Sequence, residues 1–269
     1  MSAAPSIPLV RAVTPLLRTD QFGRPMEGYA SIGSTNARAT DWAREGAAEG
    51  SVVVAEEQTA GRGRHGRTWS AAPAQNLMFS LVLRPALSAD RLGLLPVAGA
   101  VAVARTIDDF AAPLRATIKW PNDVFLRGRK CCGMLLESAF SGRRTGAPDF
   151  VVLGVGLNVN QDRFPPELSD RAVSLKQAAR RPIERAPLFA ELLVRLEQCY
   201  RTLFADDGAD VRSAYEARLH RLGRRVTLRT TDHGAPVQGL VRGITATGAL
   251  ELETNGRITT FHAGEVTSQ

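Results

Sequence analysis

Residues 116–126 read ATIKWPNDVFL, two short apolar runs joined by turn formers. The β-branched and apolar residues up to Lys119 predict a strand, Pro121 to Asp123 a tight turn, and Val124 to Leu126 a second strand. Lys119, Trp120, Asn122 and Asp123 then sit at a strand end, where side chains can be aimed into a pocket. Lysine is scarce in this chain, with three (119, 130, 176) against thirty-one arginines. A lysine on a mostly apolar strand therefore points to a need for a compact ammonium, or to a strand-edge lysine reaching water along its stem.

Upstream, residues 61–69 read GRGRHGRTW. Gly61, Gly63 and Gly66 let the backbone turn N–H groups toward a ligand, and Arg62, Arg64 and Arg67 supply charged forks for phosphate or carboxylate. The string fits an anion cradle, a basic surface loop or a segment touching nucleic acid. Residues 33–38, GSTNAR, place Ser34 and Thr35 where a hydroxyl caps a helix over Asn36–Ala48, or where a helix N-terminus holds an anion or polar ring. Downstream, residues 151–160, VVLGVGLNVN, begin as a buried strand. Gly154 and Gly156 permit close approach of a backbone or flat ligand, and Asn158 and Asn160 bring amides to the strand's end.

Together these strings resemble the biotin protein ligases, which form biotinyl-5'-adenylate from biotin and ATP and pass the biotin to a carrier-protein lysine. The resemblance rests on GSTN (33–36), EEQTAGRGRHGRTW (56–69), KWPNDV (119–124), KCCGMLLE (130–137) and GVGLNVN (154–160), in the family's order and at similar spacing. It runs from about Gly28 to the C-terminus, and the first 25 or so residues fall outside it. It implies a mixed sheet packed with helices, an α+β fold, followed by a small SH3-like barrel. The expected division is an N-terminal extension (1–25), a catalytic domain (26–220) and the barrel (221–269).

Periodicity agrees. Strands are expected over 52–56, 77–83, 116–119, 123–126, 131–137 and 150–158, and helices over 92–110 and 188–204, the latter with an apolar stripe from Leu188 to Phe204. From Gly223 onward RVTLRT, VQGLVRGI, GALELET and ITTFHAGEV read as short alternating strands between turns. The alanine-rich start is expected to fray. The chain has 269 residues, 44% of them apolar, enough for one large domain and a small one. No apolar run approaches a bilayer span and no secretory signal is evident, so the expectation is a soluble, cytoplasmic protein. Cys131, Cys132 and Cys199 form neither a disulfide framework nor a zinc pattern. The net charge of +7 fits nucleic acid or an anionic substrate such as ATP.

The resemblance also implies roles. Lys119 corresponds to a lysine reaching both carboxylate and phosphate, and Arg64 is placed with it as catalytic. Biotin binding falls to Ser34, Thr35, Asn36, Gln58, Gly61, Arg62, Gly63, Arg64 and Lys119. The nucleotide side falls to Arg62, Arg64, Arg67, Trp69, Asn122, Asn158 and Asn160, with the loop's N–H groups holding the phosphate. Trp69 and Trp120 serve as apolar walls or as core. His65 has no required acid–base task, the other histidines lack metal spacing, and Glu137 either orients a neighbour or faces solvent. Mg²⁺ is implied by the chemistry, with its ligands unassigned. The implied partner is a biotin carboxyl carrier protein domain of acetyl-CoA/acyl-CoA or pyruvate carboxylase. Some members add an N-terminal winged helix that binds DNA; about 25 residues are too few for one, so repressor activity and DNA binding are not expected. A lipoyl ligase or transferase is the rival within the fold, and a basic nucleic-acid-binding protein the rival outside it.

Overall fold

A computed structural model of the chain describes residues 6–142, 146–230 and 235–268; the alanine-rich start, His233 and part of the turn after it lie outside these residues. Seven strands build the main sheet: β1 (Met26–Tyr29), β2 (Val52–Ala55), β3 (Leu77–Leu83), β4 (Thr117–Lys119), β5 (Asp123–Leu126), β6 (Arg129–Ala139) and β7 (Phe150–Leu157). Their order is β1-β2-β3-β7-β6-β5-β4, with β1 and β2 parallel and the other neighbours antiparallel. The mixed sheet expected from the sequence is present.

Period-two alternation assigns the two faces. Leu77, Phe79, Leu81 and Leu83 of β3, with Leu153, Val155 and Leu157 of β7, belong to the large core, where helices α3 (Leu94–Phe110) and α5 (Arg185–Ala205) pack on each other. The intervening residues Val82 and Val152 pack instead with Ala39 and Ala43 of α2 (Thr35–Arg44). Helix α2 covers only part of that face: its first turn lays Asn36 on Gly154 and leaves Gly156 beyond its reach. A cavity floor results from this incomplete cover.

The sequence-expected helix over 36–48 stops at Arg44, because Gly46 takes a left-handed φ of +98° that ends it. Helix α1 (Pro8–Val13) and strand β1 were not expected at all. MEGY has no alternation to read, yet it pairs with β2, and Ile7 and Val10 lie on Gly28, where a Cβ would stand 2.6 Å from Val10 Cγ2. Ile7, Leu9, Val10, Val13 and Phe22 join the main core, so this part of the 1–25 segment is packed in. Helices α4 (Leu175–Ala179) and α6 (Ala209–Glu216) complete the helical part.

A five-stranded antiparallel sheet follows: β8 (Arg225–Arg229), β9 (Val237–Ile244), β10 (Leu250–Thr254), β11 (Arg257–Phe261) and β12 (Glu265–Ser268), in the order β11-β10-β9-β8-β12. The run ITTFHAGEV, read as one strand, is two, broken at residues 262–264. This sheet is consistent with a small SH3-like domain, and its Val226, Leu228, Val241, Ile244, Leu250 and Leu252 extend the main core. Trp120 fastens the two parts, being 3% exposed with its Nε1 donating to Gly248 O at 3.0 Å. Among the described residues no helix is long and apolar enough to cross a membrane. All three cysteines are free and buried; burial pushes the Cys131 thiol up to about 12 and raises the other two, so they are unreactive core groups.

Candidate functional site

The open part of the sheet floors a cavity of about 560 Å³. Register explains the floor: Gly156 of β7 lies between Met78 of β3 and Gly133 of β6, and Gly154 lies between Ser80 and Leu135. The glycines are required by what lies on them. A Cβ at Gly156 would come 2.5 Å from Trp69 Cε2, one at Gly133 3.1 Å from Trp69 Cζ3, and one at Gly154 2.1 Å from Asn36 Oδ1. Trp69 is thus a cavity wall laid on a glycine surface, and its buried Nε1 has no partner among the described residues.

One end of the cavity is polar and buried. The helix-capping role expected of Ser34 is not realised; its hydroxyl makes no cap bond, and Gln58 Oε1 accepts from Thr35 N at 2.8 Å and Thr35 Oγ1 at 3.1 Å. Ser80 Oγ stands 2.8 Å from Thr35 Oγ1 and 2.6 Å from Asn36 Oδ1, while Asn36 Nδ2 donates to Glu137 at 2.6 Å. Ser80 escaped the sequence reading; its signal was a lone hydroxyl in LMFSLVL, on the same face as Gly154.

The opposite end is cationic. Lys119 is half-buried with its Nζ 5.7 Å from the Phe125 ring centre, and among the described residues no carboxylate lies within 4 Å of it. Burial lowers its pKa, opposed by Asp123 and Glu265, so an incoming anion would find a cation short of solvation. Lys130, which the sequence reading did not assign, stands directly on the floor: a Cβ at Gly133 would meet its Nζ at 2.9 Å. It pairs with Asp123 at 2.6 Å and lies 5.8 Å from the Trp69 ring centre. Asn122 lines the cavity, accepting from Arg64 Nη1 at 3.1 Å and donating to Met134 O. Phe164, Leu168 and Arg171, from the segment after β7, complete this end and were also missed. Asn158 lines it too, with a buried Oδ1 that has no partner among the described residues. Asn160 does not: its amide donates to Ile183 O at 2.8 Å and accepts from Ile183 N at 2.9 Å, a structural clasp that removes it from the expected nucleotide side.

The 61–69 segment is a small hairpin, with some of its backbone N–H groups bonded internally. Trp69 N donates to Gly61 O, Gly63 N to Arg67 O and Arg67 N to Arg64 O, so these donors are spent inside the loop. Gly61, expected to touch ligand, instead forms the hairpin base, where a Cβ would stand 2.5 Å from Trp69 O. Each arginine is held by a different element: Arg62 by Glu137 at 3.2 Å, Arg64 by Asn122 and by Gly264 O at 3.4 Å, Arg67 by Glu265 at 2.5 Å. Gly264 and Glu265 reach in from the C-terminal sheet. His65 sits at the tip with a left-handed φ of 57°. Among the described residues no cluster of three or more His, Cys, Asp or Glu could hold a metal. Of the cavity's acids, Asp123 and Glu265 are already paired with Lys130 and Arg67, so these residues build no protein cage for magnesium and would leave the ion to phosphates and water.

Two expectations follow from this geometry. Gly154→Ala drives a methyl into the Asn36 carbonyl and is expected to weaken ligand binding at the polar end about ten- to a hundredfold, the value of one or two buried hydrogen bonds, measured by calorimetry. Glu265 has its carboxyl held below the ordinary range, first by the Arg67 hydrogen bond. Its contribution is present above the unfolded-state value and lost as pH falls through the lowered one. Hydrogen-exchange protection of residues 61–67, corrected for intrinsic rate, should hold at neutral pH, drop in the acid range below about 4.5, and be low at every pH in Glu265→Gln.

Comparison with known proteins identifies the family. Residues 28–158 match the biotin/lipoate A/B protein ligase family, and 222–267 match the biotin protein ligase C-terminal domain. The chain is 34% identical over 252 residues to the bifunctional ligase/repressor BirA of Bacillus subtilis, covering 93% of this chain and 76% of that protein. It is 36% identical over 248 residues to the biotin–[acetyl-CoA-carboxylase] ligase of Mycobacterium tuberculosis, covering 90% and 88%. Among solved structures, the biotin protein ligase of Aquifex aeolicus in complex with biotin and ATP superposes with a TM-score of 0.78 at 26% identity, covering 91% of this chain and 98% of that one. The glycine-floored cavity, its polar end and its lysines therefore lie in a member of the biotin protein ligase family.

Proposed function

We propose that this cavity is where the chain activates biotin with ATP and transfers it to a protein lysine. The biotin carboxylate oxygen attacks the α-phosphorus, an O–P bond forms, and the bond to the β-phosphate oxygen breaks, releasing pyrophosphate. The neutral ε-amine of the acceptor lysine then attacks the acyl carbon, loses its proton and expels AMP, leaving an amide. No covalent bond to the enzyme is needed; positive charge and alignment are. Magnesium, when bound with the triphosphate, offsets its charge.

The observation that carries this reading is the juxtaposition, across one flat glycine floor, of a buried polar pocket with two lysines. A bicyclic ring fits the first, and a carboxylate meeting a phosphate needs the second. Gln58, Ser34, Thr35 and Asn36 would hold the ring, with Trp69 covering it. Lys130, on the floor, would meet the carboxylate and α-phosphate together; Lys119, further toward Phe125 and Arg171, would share the phosphate charge, so the junction role expected of Lys119 passes in part to Lys130. Asn158 Oδ1, lacking a donor, suits an exocyclic amine of the base, with Phe164 and Leu168 as apolar neighbours. Arg62, Arg64 and Arg67 would leave their protein partners for the ligand's anions. The acceptor is a biotin carboxyl carrier protein domain, and we infer acetyl-CoA/acyl-CoA or pyruvate carboxylase as its owner.

Pyrophosphate release that requires biotin as well as ATP is the expected result, followed by label transfer to a purified carrier domain. Release with lipoate but not biotin would replace this reading by the lipoyl one.

A further inference from the structure

Glu137 has no part in the chemistry above. Its side chain, one-third exposed, accepts from Asn36 Nδ2 at 2.6 Å and from Arg62 Nη2 at 3.2 Å. Outside it a second cavity of about 350 Å³ opens between α2 and the ends of β6 and β7, beside Thr40, Asp41 and Arg44. An asparagine amide can face either way, whereas an ionised carboxylate only accepts. With Glu137 on the outer side, Asn36 must turn its NH₂ outward and its carbonyl inward, over Gly154, toward Ser80.

At this inner face the pocket presents acceptors. Thr35 Oγ1 gives its own proton to Gln58 Oε1, so Thr35 Oγ1 and Asn36 Oδ1 share the single proton of Ser80 Oγ. The Asn36 carbonyl keeps a lone pair for a donor on the ligand. A ring N–H set against it gains a buried hydrogen bond, whereas a ring atom without a proton there places two acceptors face to face.

We propose that Glu137 is a positioning and specificity residue: acting through Asn36, it sets the hydrogen-bond polarity of the pocket so that it selects a ring with N–H groups, the ureido of biotin, over ring acids without them. This rests on the biotin reading of the site. In Glu137→Gln the partner can donate as well as accept, so Asn36 is free to flip and offer its NH₂ inward, with the Ser80 hydroxyl rotating to accept. Glu137→Asp keeps an acceptor-only partner.

The test compares kcat/KM for biotin with that for an isosteric analogue in which one ureido N–H is replaced by a ring oxygen, in wild type and both variants. Wild-type turnover on biotin controls for the ligase reading, and the ratio within each variant tests Glu137. Glu137→Gln is expected to raise the KM for biotin with the KM for ATP unchanged, and to lower discrimination against the analogue about ten- to a hundredfold. Glu137→Asp is expected to keep the wild-type ratio even if overall activity falls. A packing role alone would weaken both acids alike. An unchanged ratio in Glu137→Gln, or an equal loss of discrimination in both variants, would overturn the proposal; if the glutamine variant does not fold, loss of discrimination in the aspartate variant does so by itself.

Discussion

Lys130→Ala is expected to lower biotin-dependent pyrophosphate release about 10²–10³-fold, the usual cost of removing one charge aimed at a transition state. The ammonium stands on the floor at Gly133, confined by the Trp69 ring. Its removal also leaves Asp123 without its 2.6 Å partner beside two incoming anions. Lys130→Arg should not restore the rate, because a planar fork cannot occupy the volume of a compact ammonium between the glycine and the ring. Lys119→Ala should cost a similar factor with a different signature. Its ammonium is desolvated but lies off the floor, over Phe125, so the loss should appear mainly in the KM for ATP while biotin alone still binds. Single-turnover pyrophosphate release with calorimetry separates the two. Near-wild-type turnover by Lys130→Ala would return the junction to Lys119.

The strands at 77–83 and 123–126 were legible to the residue because turn formers bound them. Helix α2 overran its true end because an apolar pattern does not register a left-handed Gly46. Strand β1 and helix α1 were invisible, since neither has a pattern of its own; each exists because the other and β2 are there to bury it. In the site the same division holds. Thr35, Asn36, Gln58 and the arginines could be located because they lie inside short strings of unusual composition. Ser80, Gly264 and Glu265 could not, being ordinary residues brought in by sheet register and by the C-terminal sheet. Lys130 was within reach, because the scarcity of lysine that singled out Lys119 applies to it equally. Asn160 was misread for the converse reason: a strand-end amide next to Asn158 looks like a ligand group until Ile183 is known to occupy both its ends.

The paired arginines alter the account of the loop. Three cations on one short segment repel each other in isolation, yet Glu137, Asn122 with Gly264, and Glu265 each hold one, so protein groups stand where substrate anions would. Substrate anions have to compete with these partners. Arg62 and Arg67 are more than half exposed, and their pairs give way readily. Arg64 is different.

Arg64 is half-buried and its pKa is lowered by that burial, so its charge is short of solvent; Asp123 and Glu265 act on it at longer range, and among the described residues its hydrogen-bond partners are an amide oxygen and a backbone carbonyl. A phosphate would satisfy it better than either, and a charge-assisted bond of this kind is worth about 1.5–3 kcal/mol. Biotinyl-adenylate is a reactive mixed anhydride that must be kept from water until the acceptor lysine arrives. Arg64→Ala is therefore expected to release the adenylate about ten- to a hundredfold faster, while Lys130 and Lys119 still support its formation. Pyrophosphate release should continue, rapid gel filtration should find the variant stripped of adenylate, and bystander lysines on added albumin should become biotinylated where wild type leaves them unmodified. A variant that makes no adenylate would place Arg64 in the first step, and one that holds it as tightly as wild type would put Arg64 outside the phosphate's reach.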